Sequence, residues 1–238
     1  RTNHYEQVEK NLWIPFQEES GNYLMKLYKE GLKKSEGEWS ENFSKKLRFY
    51  SMFQMAEKTL KKNFIHDFAE CGCWWGHSTW VLSKLVQNSG QNINFHVFDS
   101  FEGGLSDVGA EDKNLAKDLT QKEIGIEKRL FSSDESFVRN NLKEFKFVKF
   151  YKGWIPDRFK EVENKKFQFV HIDVDLYQPT FDSIEFFFPR LVEGGVIVCD
   201  DYNICQFGGC KEAIDNYLKD KKVSLFYESS FGGCVIIK

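Results

Sequence analysis

Neither sign of charge is in excess in this chain of 238 residues, where 33 Lys and Arg stand against 36 Asp and Glu. Nucleic acids and anionic membrane surfaces are gripped by concentrated basic patches, so the balance argues against both as partners. There is no acidic tail to suggest a solvated, disordered end. Also missing is any apolar run long enough to cross a bilayer, and nothing at the start reads as a signal peptide. The chain opens on Arg1 rather than Met, as a trimmed or partial sequence would. None of the six cysteines, Cys71, Cys73, Cys199, Cys205, Cys210 and Cys234, forms a CxxC pair, which argues against a zinc site. Several sit in apolar runs, where a reduced Cys acts as a small hydrophobe. The setting this implies is a reducing cytoplasm rather than a disulfide scaffold.

What is present is a hydrophobic fraction of 41% with 24 Phe, enough to close one sizeable core. The length suits a single α/β domain with an added cap. Residues 1–62 are polar, lysine-rich and broken by turn-prone stretches such as Ser35-Glu36-Gly37-Glu38. Within them Leu24, Leu27 and Tyr28, and again Met52, Met55, Ala56 and Leu60, recur at helical spacing. This region is expected to be an N-terminal helical cap, followed over 63–238 by the main domain.

From residue 64 short apolar runs alternate with amphipathic stretches. The runs are 65–69, 93–98, 147–151, 167–172 and 195–199, and helical patterns lie at 79–86, 136–145, 180–191 and 211–219. Ser132 followed by Glu135 reads as a capping box ahead of the second of those helices. Such alternation builds βαβ units and a parallel sheet covered on both faces. The end of the chain breaks the rhythm: 223–228 and 234–238 are strand-like with only Ser229-Ser230-Phe231-Gly232-Gly233 between them, which is a hairpin. A mainly parallel, seven-stranded, Rossmann-like sheet closed by an antiparallel hairpin is the class I methyltransferase layout; a dinucleotide-binding fold would continue with another crossover. Residues 103–130 are polar and aperiodic, as a lid or binding loop is.

Ligands of open α/β sheets lie beyond the carboxyl ends of the strands. There the first run leads into Glu70-Cys71-Gly72-Cys73-Trp74-Trp75-Gly76-His77-Ser78, whose Gly72 and Gly76 let backbone approach a ligand. Glu70 could hold an ammonium group. Asp99, with Ser100, ends the second run, where an acid can accept from ribose hydroxyls; taken alone it could equally cap a turn. Gly153 and Trp154 follow the third run; Trp154 could stack on a purine or fill the core. The fourth and fifth runs end in Asp173-Val174-Asp175 and Asp200-Asp201. Neighbouring parallel strands would bring Asp173, Asp200 and Asp201 together, and three clustered carboxylates call for a cation. Hard oxygen ligands suit Mg²⁺, or Mn²⁺ or Ca²⁺ in its place. His171, inside an apolar run, and His77 read as structural rather than as ligands.

The segments AECGCWWGHS, VFDSFEGG, SSDESFVRNNL, YKGWIPD, HIDVDLYQPTFDSIEFFFPRLVEGGVIVCDDY and CKEAIDNYL resemble the macrocin O-methyltransferase (TylF-like) family. The likeness runs from about Phe68 to Asn216 and is most specific from His171 to Tyr202. It implies S-adenosylmethionine as methyl donor and a Mg²⁺ site on Asp173, Asp200 and Asp201, with Asp173 as general base. The family's donor-binding positions fall on Glu70, Gly72, Gly76, Ser78 and Asp99. It also suggests a small-molecule hydroxyl acceptor, a sugar or glycosylated natural product, and a homodimer or higher homo-oligomer. Two departures stand out: Trp75 and His77 replace smaller or basic residues near the pocket mouth, and Pro179-Thr180 stands where Ser-Thr is usual. A catechol-like vicinal diol would satisfy the same metal logic. A dinucleotide-dependent oxidoreductase would share the glycine turn and Asp99 but has no use for the three aspartates.

Overall fold

A computed structural model of the chain describes residues 19–35, 42–112, 125, 129–204 and 208–238. The first eighteen residues, all but Ser35 of the turn-prone stretch at 35–38, most of the loop expected over 103–130, and Cys205 lie outside the described residues. The elements in chain order are α1 (Glu19–Lys34), α2 (Phe43–Lys61), β1 (Asp67–Cys71), α3 (His77–Ser89), β2 (Phe95–Asp99), α4 (Glu135–Asn141) and β3 (Val148–Lys152). A short 3-10 turn (Phe159–Val162) precedes β4 (Phe167–Ile172). Then come α5 (Tyr177–Phe187), β5 (Leu191–Cys199), α6 (Gly209–Leu218), β6 (Leu225–Glu228) and β7 (Cys234–Ile237). The seven strands form one sheet in the order β3-β2-β1-β4-β5-β7-β6. Every pair is parallel except β5–β7 and β6–β7, so the terminal hairpin closes one edge as its sequence predicts.

Period-two alternation decides which helices each strand residue meets. Phe68, Phe169, Val196 and Val198 face one layer, shared with Tyr28 of α1, Met52 and Phe53 of α2, Val81 of α3 and Val138 of α4. Ala69, Cys71, Val170, Ile172, Ile197 and Cys199 face the other, shared with Ile184 and Phe187 of α5 and Ile214 of α6. Central β4 is buried along its whole length, whereas the edge strand β6 is exposed along all of its own. The described cysteines are free and buried, and they pack as apolar groups. Helices α1 and α2 thus share one core with the sheet. No described helix is long and apolar enough to cross a membrane.

Boundaries moved where local chemistry competed. Ile65 is not in β1; it is 62% exposed with a left-handed φ of 51°, and the strand starts at Asp67. Leu191 opens β5 instead of ending a helix, because α5 runs out into a 3-10 turn over Phe188–Arg190 that contains Pro189. The cap of α4 is Asp134, whose carboxylate accepts from the Phe137 amide at 2.7 Å, while the Ser132 hydroxyl donates backward to the Arg129 carbonyl at 2.9 Å. The nearer acid won, since an N-cap acceptor must stand next to the first helical residue.

His77 begins α3 after Gly76, which takes a φ of 82°. Its ring lies 4.6 Å from that of Tyr28 and 4.4 Å from that of Phe49, and its Nε2 is 2.9 Å from the Tyr28 carbonyl. It ties α1 and α2 to α3, a structural role. Burial, aided by the charge of Lys45 and opposed by the Tyr28 carbonyl, pushes its pKa down to about 3. An unfolded chain protonates this imidazole below about pH 6.5, whereas the folded one stays neutral to far lower pH. Stability supplied by neutral His77 is therefore present above pH 6.5 and is lost as pH falls toward 3. Relative to His77→Gln, which keeps a donor for Tyr28, the native chain is expected to lose about 2 kcal/mol between pH 7 and pH 5. Urea melts of both proteins at the two pH values measure the difference; parallel pH dependences would refute it.

Candidate active site

The parallel ladder continues one step past the strand ends. The Gly72 amide donates to the Phe98 carbonyl at 2.8 Å, Asp173 to Cys71 at 2.9 Å, Asp200 to Ile172 at 2.9 Å and Gly153 to Asp99 at 3.0 Å. These bonds set the tips of β1 to β5 side by side. Gly72, with a φ of 81°, has no room for a side chain: a Cβ there would stand 1.8 Å from the Asp173 carbonyl oxygen. The close approach of the β1 and β4 tips thus depends on that glycine.

Above the tips opens a cleft of about 590 Å³, its mouth included. Gly72, Asp99, Ser100, Trp154 and Asp173 line it, joined by Trp74, Phe98 and Leu105. Asp99 serves the turn as well as the cleft. One of its oxygens accepts from the amides of Cys73 (2.8 Å) and Trp74 (3.1 Å), and the other from that of Phe101 (2.9 Å). Trp154 is 36% exposed, not a core residue.

Glu70, Gly76, Ser78 and Gly153 stand behind the lining. Glu70 is fully buried, with one oxygen taking the Thr79 hydroxyl at 2.5 Å and the other 2.9 Å from His171 Nδ1. Burial works against protonation of His171, but Glu70 outweighs it and lifts the imidazole pKa to about 9. This is a buried pair directly beneath the site, and His171 is the hydrogen-bonded core histidine that its apolar strand predicts. Gly76 donates to the Cys73 carbonyl at 2.7 Å and packs toward Val138 of α4. Ser78 is buried in the first turn of α3. Neither Trp75 nor His77 lines the cleft: the Trp75 ring meets Phe137 edge-on at 5.4 Å. The aromatic at the mouth is Trp74, whose Nε1 donates to the Leu130 carbonyl at 3.2 Å.

Asp173, Asp200 and Asp201 converge as their strand positions predict: one carboxylate oxygen from each lies within 4.8 Å of the others. Burial, then the neighbouring Asp200, push the Asp173 pKa up to about 7 against the pull of His171 and Arg48. Burial, with Asp175 and Asp173 beside it, holds Asp201 well above the ordinary carboxylate range. The Asp175 amide donates to Asp201 at 2.8 Å and fixes that side chain. Crowded, largely buried acids that outnumber the positive charges beside them are the donor set that a hard divalent cation takes. Arg48 of α2 also reaches the trio, its Nε donating to Asp200 Oδ2 at 2.8 Å. Sequence reading missed Arg48, because it lies 152 residues from its partner with no motif around it. Leu105, in the loop over 103–130, and Phe131, just after it, also line the cleft and were missed because that stretch has no periodicity.

The family model described as macrocin-O-methyltransferase (TylF) matches residues 37–228. Demethyldecarbamoylnovobiocin O-methyltransferase of Streptomyces niveus is 25% identical over 215 residues, covering 85% of this chain and 78% of that one. The 8-demethyl-8-(2,3-dimethoxy-alpha-L-rhamnosyl)-tetracenomycin-C 4'-O-methyltransferase of Streptomyces olivaceus is 29% identical over 154 residues, 63% of this chain and 57% of that one. Among solved structures, the O-methyltransferase NovP has the same fold, with a TM-score of 0.65 at 24% identity over 79% of this chain and 78% of that one.

Since a Cβ at position 72 would overlap backbone and meet an unfavourable φ, Gly72→Ala is expected to destabilise the fold by roughly 3 kcal/mol or more. Chemical denaturation measures this, and an unchanged midpoint would show that the β1 and β4 tips are not in contact.

Proposed function

The chain belongs to the macrocin O-methyltransferase family and is an S-adenosylmethionine-dependent O-methyltransferase, and from that premise we propose that it methylates a hydroxyl of a sugar on a glycosylated natural product with the help of a divalent cation. The observation that carries the cation is the convergence of Asp173, Asp200 and Asp201 within 4.8 Å at the edge of the cleft. The sugar acceptor is supported by the Streptomyces olivaceus relative, whose name gives it a rhamnosyl-bearing substrate. The oxidoreductase alternative leaves the three aspartates without work and is set aside with the family assignment.

Methyl transfer from a sulfonium is an in-line displacement, so holding the acceptor oxygen opposite the sulfur is a large part of the catalysis. Gly72, Asp99, Ser100 and Trp154 surround the space where the donor would lie. Gly72 offers bare backbone there, Asp99 an acceptor for ribose hydroxyls, and Trp154 an aromatic face. Glu70, Gly76, Ser78 and Gly153 serve donor binding from behind, by shaping the turns that carry the lining residues. Asp173, Asp200 and Asp201 would hold Mg²⁺, or Mn²⁺ or Ca²⁺ in its place. Such a cation supplies Lewis acidity that orients a hydroxyl and makes its proton easier to remove. Asp173, which reaches both the cleft and the trio, takes that proton on its carboxylate. The helices before residue 63 act as the cap of the donor-binding domain, and Leu105 and Ser106 bring the loop that starts at 103 to the cleft.

Asp173→Asn is expected to lower turnover by at least about a thousandfold, since it removes a base and a cation ligand together. Donor affinity should change by less than about threefold, because the glycine turn and Asp99 are untouched. Transfer of labelled methyl to a panel of glycosylated and catechol acceptors, with calorimetry of donor binding, tests both parts. Full activity of the variant or in excess chelator would overturn the cation and base assignment. A preference for catechols would overturn the sugar acceptor.

A further inference from the structure

We propose that Arg48 is a built-in counter-ion of the aspartate trio, holding the cation-free site together and weakening its grip on a divalent cation. This rests on the cation site proposed above and adds a control that the three ligands alone do not contain. Arg48 comes from α2, outside the strands that supply the aspartates, yet only 16% of its side chain is exposed. Its Nε donates to Asp200 Oδ2 at 2.8 Å and its Nη1 to Ser44 Oγ at 2.9 Å. The Ser44 hydroxyl in turn donates to the Phe231 carbonyl in the hairpin turn at 2.7 Å. The stem runs along the hairpin turn: Cβ atoms at Gly232 and Gly233 would stand in ordinary contact with Arg48 Cδ, at 3.8 and 3.6 Å. The guanidinium is thus held from several sides and aimed at one acid.

Among the described residues, Arg48 is the one Lys or Arg within 4.0 Å of any of the three carboxylates. Burial alone would disfavour its charge, but Asp200, Asp173 and Asp201 together hold it firmly protonated. Its field therefore acts on the whole trio. Without a cation, this positive charge beside the trio, together with that of His171 from beneath, relieves repulsion among the three acids. Once a divalent ion enters, the same charge stands a few ångströms from a like charge in a poorly screened setting, and like charges at that range repel strongly. The entering ion must also share Asp200, one of whose oxygens Arg48 already takes. Arg48 favours the empty state and opposes the loaded one, so the cation stays exchangeable.

Mn²⁺ binding, followed by the electron paramagnetic resonance signal of the free ion, and metal-free thermal melting of the full chain test this. Arg48→Gln keeps a donor for Asp200 and removes the charge. It is expected to bind Mn²⁺ at least about tenfold tighter than wild type, and to melt several degrees lower without metal, about 3 to 8 °C. Arg48→Lys keeps the charge and should stay within about threefold of wild-type affinity. Should the Gln variant fail to fold, Ser44→Ala, which loosens the guanidinium's anchor, is expected to tighten Mn²⁺ binding about two- to threefold. If wild type binds Mn²⁺ and neither Arg48→Gln nor Ser44→Ala binds it more tightly, Arg48 is a structural ion pair and the proposal fails. If no variant and no wild type binds Mn²⁺ at millimolar levels, the cation site itself falls. Binding by Arg48→Gln alone would support the proposal in its strongest form.

Discussion

The row of backbone hydrogen bonds across the strand tips is the constraint on which the rest of the site depends. Phe98, Cys71 and Ile172 each lend a carbonyl to the first residue beyond the neighbouring strand, which is Gly72, Asp173 or Asp200. Because a parallel ladder repeats evenly, the residue after each strand arrives at the same height as its neighbours. Three segments far apart in sequence thereby present their first irregular residue to one cleft. Side chains can then specialise without setting their own position. Gly72 supplies bare backbone, Asp173 an acid at the cleft, and Asp200 an acid that meets Arg48.

Alternation along the strands extends this order below the surface. Residues two apart share a face, so Glu70 of β1 and His171 of β4 lie opposite one another in register. They form a fully buried pair under the aspartates. A buried ion pair is seldom a large source of stability, since desolvation offsets most of the attraction. Its more consistent effect here is to place fixed charge beneath the site, where His171 works against the rise in Asp173's pKa. The same layer contains α1, α2 and α3, and this explains how α2 can deliver Arg48 to a cluster built from the sheet.

Helix α2 and the terminal hairpin meet around this cluster. Ser44 of α2 bonds the Phe231 carbonyl in the terminal hairpin, and the Gly233 amide donates to the Tyr202 carbonyl just past Asp201. The antiparallel hairpin therefore does more than cover an edge. It braces the segment after β5 from one side while α2 braces it from the other.

Much of the fold and part of the site were legible in the residue order alone. Alternating apolar runs and amphipathic stretches determined the β/α succession, the terminal hairpin and the placement of the acids at strand ends, because periodicity and turn chemistry are local properties. Asp173, Asp200 and Asp201 could be grouped from sequence since neighbouring parallel strands align their ends. Tertiary structure alone decided that Glu70 is buried against Thr79 and His171 behind the cleft, that Trp74 rather than Trp75 stands at its mouth, and that Arg48 pairs with Asp200. Those outcomes depend on which face a turn presents and on which distant helix packs against it. Both are set by long-range packing, and no local pattern encodes them.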